Sequence, residues 1–196
     1  MIDESVLCIP AERLAIAGLG TGFVSDDATI AAILLDPDHF AFVPRGDAER
    51  NPAFKQLIPY VVLRAGSRIF HYRRSAAGRE SRLHSLRSIG VGGHISAEDA
   101  TGGDPYRSGM LRELDEEVDL GGSIIAERRL GFVYDPRTAV GAVHLGVVHI
   151  VDLDAAAASP REAAIIDSGF AEPAELLADR DGFETWSQFA LDAMAD

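Results

Sequence analysis

Several features that often decide the class of a protein are scarce in this chain of 196 residues. Cys8 is the only cysteine, so no internal disulfide can form, and a reducing cytoplasm is the expected compartment. No run of about 18 apolar residues is present, so we expect no segment to span a membrane. The acidic N-terminus, MIDESVLCIP, lacks the basic region of a secretory signal. These absences predict a cytoplasmic protein with no membrane partner.

Basic residues are also scarce, and they are unevenly distributed. The 18 lysines and arginines are outnumbered by 31 aspartates and glutamates, which gives a net charge of −13, and Lys55 is the only lysine. A chain this acidic is not expected to bind nucleic acid. Seven arginines lie between Arg64 and Arg87. This block could hold anionic substrate groups, or it could be the charged outer face of a hairpin.

The chain alternates between strand-like and helix-like segments. PYVVL and RIFHYRR predict a β-hairpin, SAAGRESRLHS predicts a polar loop, and SIIAERRLGFVYD and AVHLGVVHIVDL predict two further strands. Two C-terminal helices are predicted by EPAELLAD and FETWSQFALDAM, and SDDATIAAILLD predicts an N-terminal helix capped by Ser25. Because the strands come as hairpins, the pattern favours an α/β fold with a mixed sheet and helices on its faces. We expect residues 1–55 to form an N-terminal extension packed on a main domain of residues 56–196.

One segment, GMLRELDEEVDL, is dense in carboxylates. Its helical period separates an apolar arc from an adjacent acidic arc, made respectively of Met110, Leu111, Leu114, Val118 and of Glu113, Glu116, Glu117. Carboxylates this close need counter-charge, and oxygen ligands on one face suit Mg²⁺ or Mn²⁺. An isolated acidic face is more often simply solvated. The glycine-rich loop GVGGHI before the helix favours a ligand site, because glycines permit a close backbone approach.

This stretch resembles the Nudix hydrolase signature, G-x5-E-x7-R-E-U-x-E-E-x-G-U, in which U is a bulky aliphatic residue. Residues 112–120 read R-E-L-D-E-E-V-D-L, and the opening Gly-Gly-His-Ile is residues 92–95. The resemblance covers residues 56–196 and implies a Nudix-type α/β/α sandwich with a mixed β-sheet. The N-terminal extension lies outside it, and is similar to that of MutT-family proteins described as predicted phosphoesterases.

The chain departs from this signature at two places. Eighteen residues separate Gly93 from Arg112, whereas the signature has thirteen. The first acidic position is therefore either Asp104, which keeps the spacing to Arg112, or Asp99, which keeps the spacing from Gly93. We favour Asp104, although a helix-capping role explains this residue equally well. In addition, Asp119 replaces the late glycine.

The resemblance implies metal-dependent hydrolysis of a phosphoanhydride bond in a small nucleoside diphosphate derivative or related diphosphate metabolite, with Mg²⁺ or Mn²⁺ as cofactor. It assigns Glu116 and Glu117 as metal ligands, and Glu113 as a further ligand or the group that orients the attacking water. Arg112 would hold a glutamate by a charge-assisted hydrogen bond, and Asp104 would join the metal site. The general base is left open among Glu98, Glu127, Glu162 and Glu172.

Substrate-binding residues are less well defined by the sequence. Gly92 and Gly93 would bring the backbone close to the bound diphosphate, and Arg73 and Arg87 could bind its phosphates. His94 is expected to anchor the signature loop. His144 and His149 lie five residues apart on one predicted strand, so they point to opposite faces, and at most one can face the site.

Three alternatives share the fold. A nucleotide-sensing module without catalysis is disfavoured because the R-E-L-x-E-E segment is intact. Isopentenyl diphosphate isomerisation relies on a cysteine near the site, and Cys8 precedes the whole domain. Decapping of RNA is disfavoured by the acidic charge. The partner predicted for this chain is therefore a small diphosphate, and a homodimer is compatible with the sequence.

Overall fold

The computed structural model describes residues 4–74, 86–162 and 165–195. The strands are β1 Ser5–Pro10, β2 Gly22–Ser25, β3 Ala41–Pro44, β4 Phe54–Ala65, β5 Arg68–Arg74, β6 Arg87–Ser88, β7 Gly90–Val91, β8 Val118–Asp119, β9 Ile124–Tyr134, β10 His144–Leu153, β11 Ser159–Pro160 and β12 Ile165–Ala171. The helices are α1 Glu12–Ile16, α2 Ala28–Leu34, α3 Arg45–Ala48, α4 Pro105–Glu117, α5 Pro173–Ala178 and α6 Thr185–Ala195. The polar loop expected at residues 75–85 lies outside the described residues.

Ten of these strands form one mixed sheet. Its main path runs β12-β5-β4-β10-β9-β2, in which β4 and β10 are parallel and the other neighbours are antiparallel. β10 is buried at nearly every position, as expected for a central strand that is covered on both faces. β8 and β11 form a separate two-stranded pair.

Helices cover both faces of this sheet. One core joins Leu14 of α1, Leu34 of α2 and Met110 of α4, whereas the other joins Leu176 of α5 and Leu191 of α6. Burying apolar side chains on both faces stabilises the three layers together. The predicted α/β/α sandwich with a mixed sheet is therefore confirmed. None of the described helices has the length and apolarity needed to cross a lipid bilayer.

The N-terminal extension is packed on the rest of the chain, as expected, and it also contributes strands to the sheet. β1 pairs with β3 and with the start of β4, and β2 pairs with the end of β9. The expected boundary at residue 55 falls inside β4. The division into two domains stays a prediction.

Two local expectations were wrong. The cap of α2 is Asp27 rather than Ser25, because the Asp27 carboxylate accepts hydrogen bonds from the amides of Thr29 and Ile30 at 2.8 and 3.2 Å, while Ser25 ends β2. Leu111 was expected in the apolar arc of α4 but is 41% exposed. The other members of this arc, Met110, Leu114 and Val118, are buried as expected, and Tyr106 joins them in the core.

Candidate active site

The glycine-rich loop that follows β7 passes between β4 and α4. A Cβ atom on Gly92 would lie 1.7 Å from the carbonyl oxygen of Pro59 in β4, and a Cβ on Gly93 would lie 2.2 Å from the Glu113 carboxylate of α4. Only glycine allows approaches this close. The loop backbone therefore borders the acidic helix directly, as the sequence predicted.

Local sequence explains where α4 begins and ends. The Asp104 carboxylate accepts a hydrogen bond from the Arg107 amide at 3.1 Å, and Pro105 occupies the first helical position. After Glu117 the chain becomes extended at Val118 and enters β8. The Asp119 carboxylate accepts from the Gly121 amide at 3.1 Å, and Gly121 has a φ of +61°. A glycine with a left-handed backbone thus lies at Gly121, two residues after the position of the late signature glycine.

Arg112 links the loop to the acidic face. Its Nε and Nη2 atoms donate to the two carboxylate oxygens of Asp99, both at 2.9 Å, and Nη2 also donates to the His94 carbonyl at 3.0 Å. Its Nη1 atom donates to Glu113 at 2.9 Å and to Glu116 at 3.1 Å. One guanidinium therefore fixes the positions of two signature glutamates relative to the loop.

The charges in this cluster shift one another's pKa values. Burial alone would raise the pKa of Asp99, but the hydrogen bonds from Arg112 and from the Ser96 amide outweigh burial and hold it below its ordinary value. The Asp99 contact also raises the pKa of Arg112, so the guanidinium stays charged. The Asp99–Arg112 pair is thus ionised at neutral pH, and its bidentate geometry is the strong form of this contact.

The three signature glutamates differ in exposure. The Glu113 side chain is 15% exposed and the Glu116 side chain is 54% exposed, while Glu117 is half-buried. Burial raises the pKa of Glu113, and its hydrogen bond with Arg112 opposes the shift only in part. A second cation near Glu113 would favour the ionised carboxylate further.

We tested whether these residues suit a divalent metal ion. In the described part of the chain, no three His, Cys, Asp or Glu side chains already converge as a metal cage. The donor chemistry nevertheless fits, because Glu113 and Glu116 meet at one Arg112 nitrogen and offer only carboxylate oxygens. A Cβ atom would fill the space that the Glu113 carboxylate occupies beside Gly93. The donor set is therefore of the chemical type that binds a hard cation.

Asp104 does not lie near these glutamates. It caps the first turn of α4, and Glu116 follows twelve residues later, which corresponds to about 18 Å along the helix axis. One ion cannot be bound by both side chains. This geometry argues against Asp104 as a metal ligand. Asp99, which contacts Arg112, fits the first acidic position of the signature better.

Arg73 and Arg87 are not brought to the glutamates either. Tyr72 belongs to the core beneath α4, so its strand neighbour Arg73 points to the opposite face of the sheet, where its Nε pairs with Asp167 at 3.3 Å. Arg87 stacks on the Phe183 ring at 4.4 Å and donates to Asp179 at 2.8 Å. The structure therefore does not support the predicted roles of these two arginines in binding phosphate at the glutamates.

The two strand histidines point to opposite faces, as predicted. His149 contacts the Tyr106 hydroxyl at 2.9 Å beneath α4, and its Nδ1 lies 3.2 Å from Glu127. Burial lowers the pKa of His149 to about 4, which keeps the imidazole neutral. Glu127 also pairs with Arg107, so this candidate general base already holds two partners.

His144 instead contacts His94 of the signature loop, with 3.3 Å between the two Nε2 atoms. No local pattern in the sequence indicates this pair. Asp99, in contrast, has a local signal. Ser96 and Asp99 form a capping box at the start of a short 3₁₀ helix, and the S-x-x-D spacing of such a box is visible in the sequence.

Comparisons with known proteins show what this chain is similar to. No protein-family model matches the chain. The chain is 34% identical over 205 residues to protein YmaB of Bacillus subtilis (strain 168), with 98% of each chain covered. It matches the crystal structure of Tm1382, described as a candidate Nudix hydrolase, with a TM-score of 0.81, 28% identity and 97% of each chain covered. The NUDIX domain of Shewanella oneidensis NrtR, complexed with ADP ribose, shares the fold with a TM-score of 0.53 and 16% identity, covering 72% of this chain and 86% of that chain.

These findings fix the class of protein. The chain belongs to the family of YmaB, and its fold and its Arg112–Glu117 segment place it in the Nudix hydrolase superfamily.

Proposed function

We propose that this protein hydrolyses a phosphoanhydride bond in a small nucleoside diphosphate derivative or related diphosphate metabolite, using Mg²⁺ or Mn²⁺. The likeness to Nudix hydrolases supports pyrophosphate hydrolysis in general. The observation that carries the proposal is the Arg112 contact with both Glu113 and Glu116, directly beside the backbone of Gly93.

Glu113, Glu116 and Glu117 are the proposed metal ligands. Nudix hydrolases generally use divalent metals, and a bound metal would neutralise the diphosphate and acidify the attacking water. Arg112 keeps the Glu113 and Glu116 carboxylates oriented, and Asp99 holds Arg112 from the other side. Gly93 leaves room for the Glu113 carboxylate directly beside the loop backbone, because it has no side chain.

The substrate is proposed to be small rather than a polymer. A net charge of −13 repels nucleic acid over a Debye length of about 8–10 Å, whereas a compact diphosphate needs only local counter-charge. The ADP ribose bound by the NrtR domain is one member of the proposed substrate class. The cytoplasmic location and a homodimer stay predictions.

The test is a screen of nucleoside diphosphate derivatives, including ADP ribose, with Mg²⁺, Mn²⁺ or EDTA. We expect metal-dependent release of phosphate-containing products, and a loss of about 100-fold or more in kcat for Glu116→Gln. Asp115→Asn is the matched control, because Asp115 lies on the same helix, is 76% exposed and pairs with Arg161 away from the cluster. Equal rates for wild type and Glu116→Gln would contradict the ligand assignment.

The same screen distinguishes a hydrolase from a nucleotide-sensing module. Titration with ADP ribose reports binding independently of turnover. Saturable binding without product formation at any metal concentration would favour a nucleotide-sensing role on this fold. Product formation that EDTA abolishes would favour the hydrolase.

A further inference from the structure

His94 and His144 form a pair that joins the signature loop to the start of β10. Their Nε2 atoms are 3.3 Å apart, and the rings meet edge to face with centroids separated by 5.5 Å. The other nitrogen of His144, Nδ1, lies 2.7 Å from the carbonyl oxygen of Val140. His144 is 7% exposed, so these contacts are largely shielded from water.

The chemistry of these contacts fixes where the protons lie. A carbonyl oxygen only accepts, so Nδ1 of His144 must carry a proton and donate it to Val140. In the neutral imidazole, Nε2 of His144 then has a lone pair. A hydrogen bond to this lone pair requires a proton on Nε2 of His94. The Val140 carbonyl thereby sets the tautomer of His144, and the contact between the two Nε2 atoms then requires the Nε2–H form of His94.

This pair lies next to the candidate catalytic groups. His94 follows Gly93, which contacts Glu113, and the His94 carbonyl accepts from Arg112 at 3.0 Å. His144 is the first residue of β10. Its side chain lies on the face of the sheet away from α4, because Gly146, two residues further along the strand, faces Trp186 of α6. The His144 contact therefore ties the signature loop to the central strand β10.

We infer that His144 is a positioning residue of the active site. By accepting from His94, it fixes the His94 tautomer and the path of the loop 92–95. The loop in turn sets the places of Arg112 and Glu113. The kinetic part of this inference rests on the proposed function, whereas the proton arrangement does not.

Nuclear magnetic resonance of the ¹⁵N-histidine-labelled protein tests the proton arrangement without any substrate. Two-bond ¹H–¹⁵N correlations distinguish an imidazole protonated at Nδ1 from one protonated at Nε2. We expect the Nδ1–H form for His144 and the Nε2–H form for His94 in the wild type, and a shifted His94 Nε2 resonance in His144→Asn. An Nε2–H form for His144 would overturn the inference.

Two substitutions of His144 separate its two hydrogen bonds. The amide of Gln reaches the position of Nε2 and can still accept from His94, whereas the amide of Asn reaches the position of Nδ1 and can donate only to Val140. We expect His144→Gln to keep kcat within about threefold of wild type, and His144→Asn to lose about tenfold or more, with a smaller change in KM. His39→Ala is the control, because His39 pairs with Asp36 in the N-terminal extension.

The outcomes are distinguishable from failure of the proposed function. If the wild type turns over no diphosphate, the proposed function fails. The NMR measurement of the two tautomers still tests the histidine pair in that case. If His144→Asn is as active as His144→Gln, or more active, the positioning role is contradicted. Circular dichroism and thermal melting identify any variant that does not fold. For such a variant, the wild-type tautomers alone test the inference.

Discussion

Asp99 and Asp104 illustrate how two similar residues acquire different roles. The Asp99 side chain is 6% exposed and binds Arg112 through both carboxylate oxygens. Asp104 is exposed and caps α4 through a single backbone hydrogen bond. Burial makes the loss of a charged partner costly, whereas an exposed cap can be replaced by another acceptor.

We therefore predict unequal effects of replacing these two residues with asparagine. Asp99→Asn removes the charge opposite Arg112 and is expected to lower the free energy of unfolding by about 1–3 kcal/mol. Asp104→Asn should change it by less than about 0.5 kcal/mol, because Asn caps as well as Asp. Urea unfolding at pH 7 measures both. A larger loss in Asp104→Asn would contradict the assigned roles.

The pH dependence of Asp99→Asn provides a second arm of this test. The folded pKa of Asp99 is below its unfolded value of about 3.9, so its stabilisation is present above about pH 4. It is lost as the pH falls through the folded pKa. The difference in unfolding free energy between wild type and Asp99→Asn should therefore shrink as the pH drops from about 6 to 3. A constant difference would exclude an ionised Asp99–Arg112 pair as its source.

The sequence allowed some of these residue contacts to be predicted, but not others. The Arg112–Glu116 contact follows from i,i+4 spacing on one helix, and it is present at 3.1 Å. The sequence offers Asp99 only as the alternative to Asp104 for the first acidic position, because the inserted loop hides which acidic residue folds back. It does not predict the Asp99–Arg112 contact. The arginines Arg73 and Arg87 were misplaced because composition does not show which face of a strand a side chain occupies.

At the scale of elements, the signature loop is defined by what its two glycines touch. The neighbour of Gly92 is the backbone carbonyl of Pro59, which cannot move independently of β4. The neighbour of Gly93 is the end of the Glu113 side chain, which can swing away. A methyl group at these adjacent positions should therefore affect different properties.

We predict that Gly92→Ala mainly reduces stability and that Gly93→Ala mainly reduces activity. Gly92→Ala should lower the free energy of unfolding by about 1–3 kcal/mol or more. Gly93→Ala should displace Glu113 and lower kcat by about 10- to 100-fold with little change in the unfolding midpoint. Gly169→Ala is the control, because no atom lies within 4 Å of the added methyl. A stable and fully active Gly93→Ala would remove this loop from the site.

Elements with strong local signals were predicted more reliably than their edges. The hairpin β4–β5, the strands β9 and β10, and the helices α4, α5 and α6 lie where period and turn residues indicated. The cap of α2 was misplaced by two residues because Ser25, Asp26 and Asp27 are all good caps, and pairing of β2 with β9 decides among them. Leu111 lies at the edge of the apolar arc. Helical period alone does not show whether a residue at this edge is covered by the rest of the fold.

At the scale of the whole molecule, the extension is joined to the signature loop. The Leu7 amide of β1 donates to the Ile95 carbonyl at 2.8 Å, and Leu7 and Ile9 belong to the same core as Leu114 of α4. Contacts between residues this distant in sequence have no local signal, so the sequence predicted an extension packed on the domain but not its pairing with the loop. The extension thus supports the candidate active site through this hydrogen bond and through the shared core.

This shared core predicts that the extension and the rest of the chain unfold together. Two native probes report on the two parts: Cys8 in β1 is fully buried, with its pKa raised to about 12 by burial, and Trp186 in α6 packs edge-on against Tyr60 of β4. Cys8 is the only cysteine and Trp186 the only tryptophan. We expect the urea midpoint of Cys8 thiol labelling under rapid exchange to coincide with that of Trp186 fluorescence, because Leu7 and Ile9 of β1 are part of the core that α4 and the central sheet share. Labelling of Cys8 well below the Trp186 midpoint would instead show an extension that opens separately and would support the boundary near residue 55.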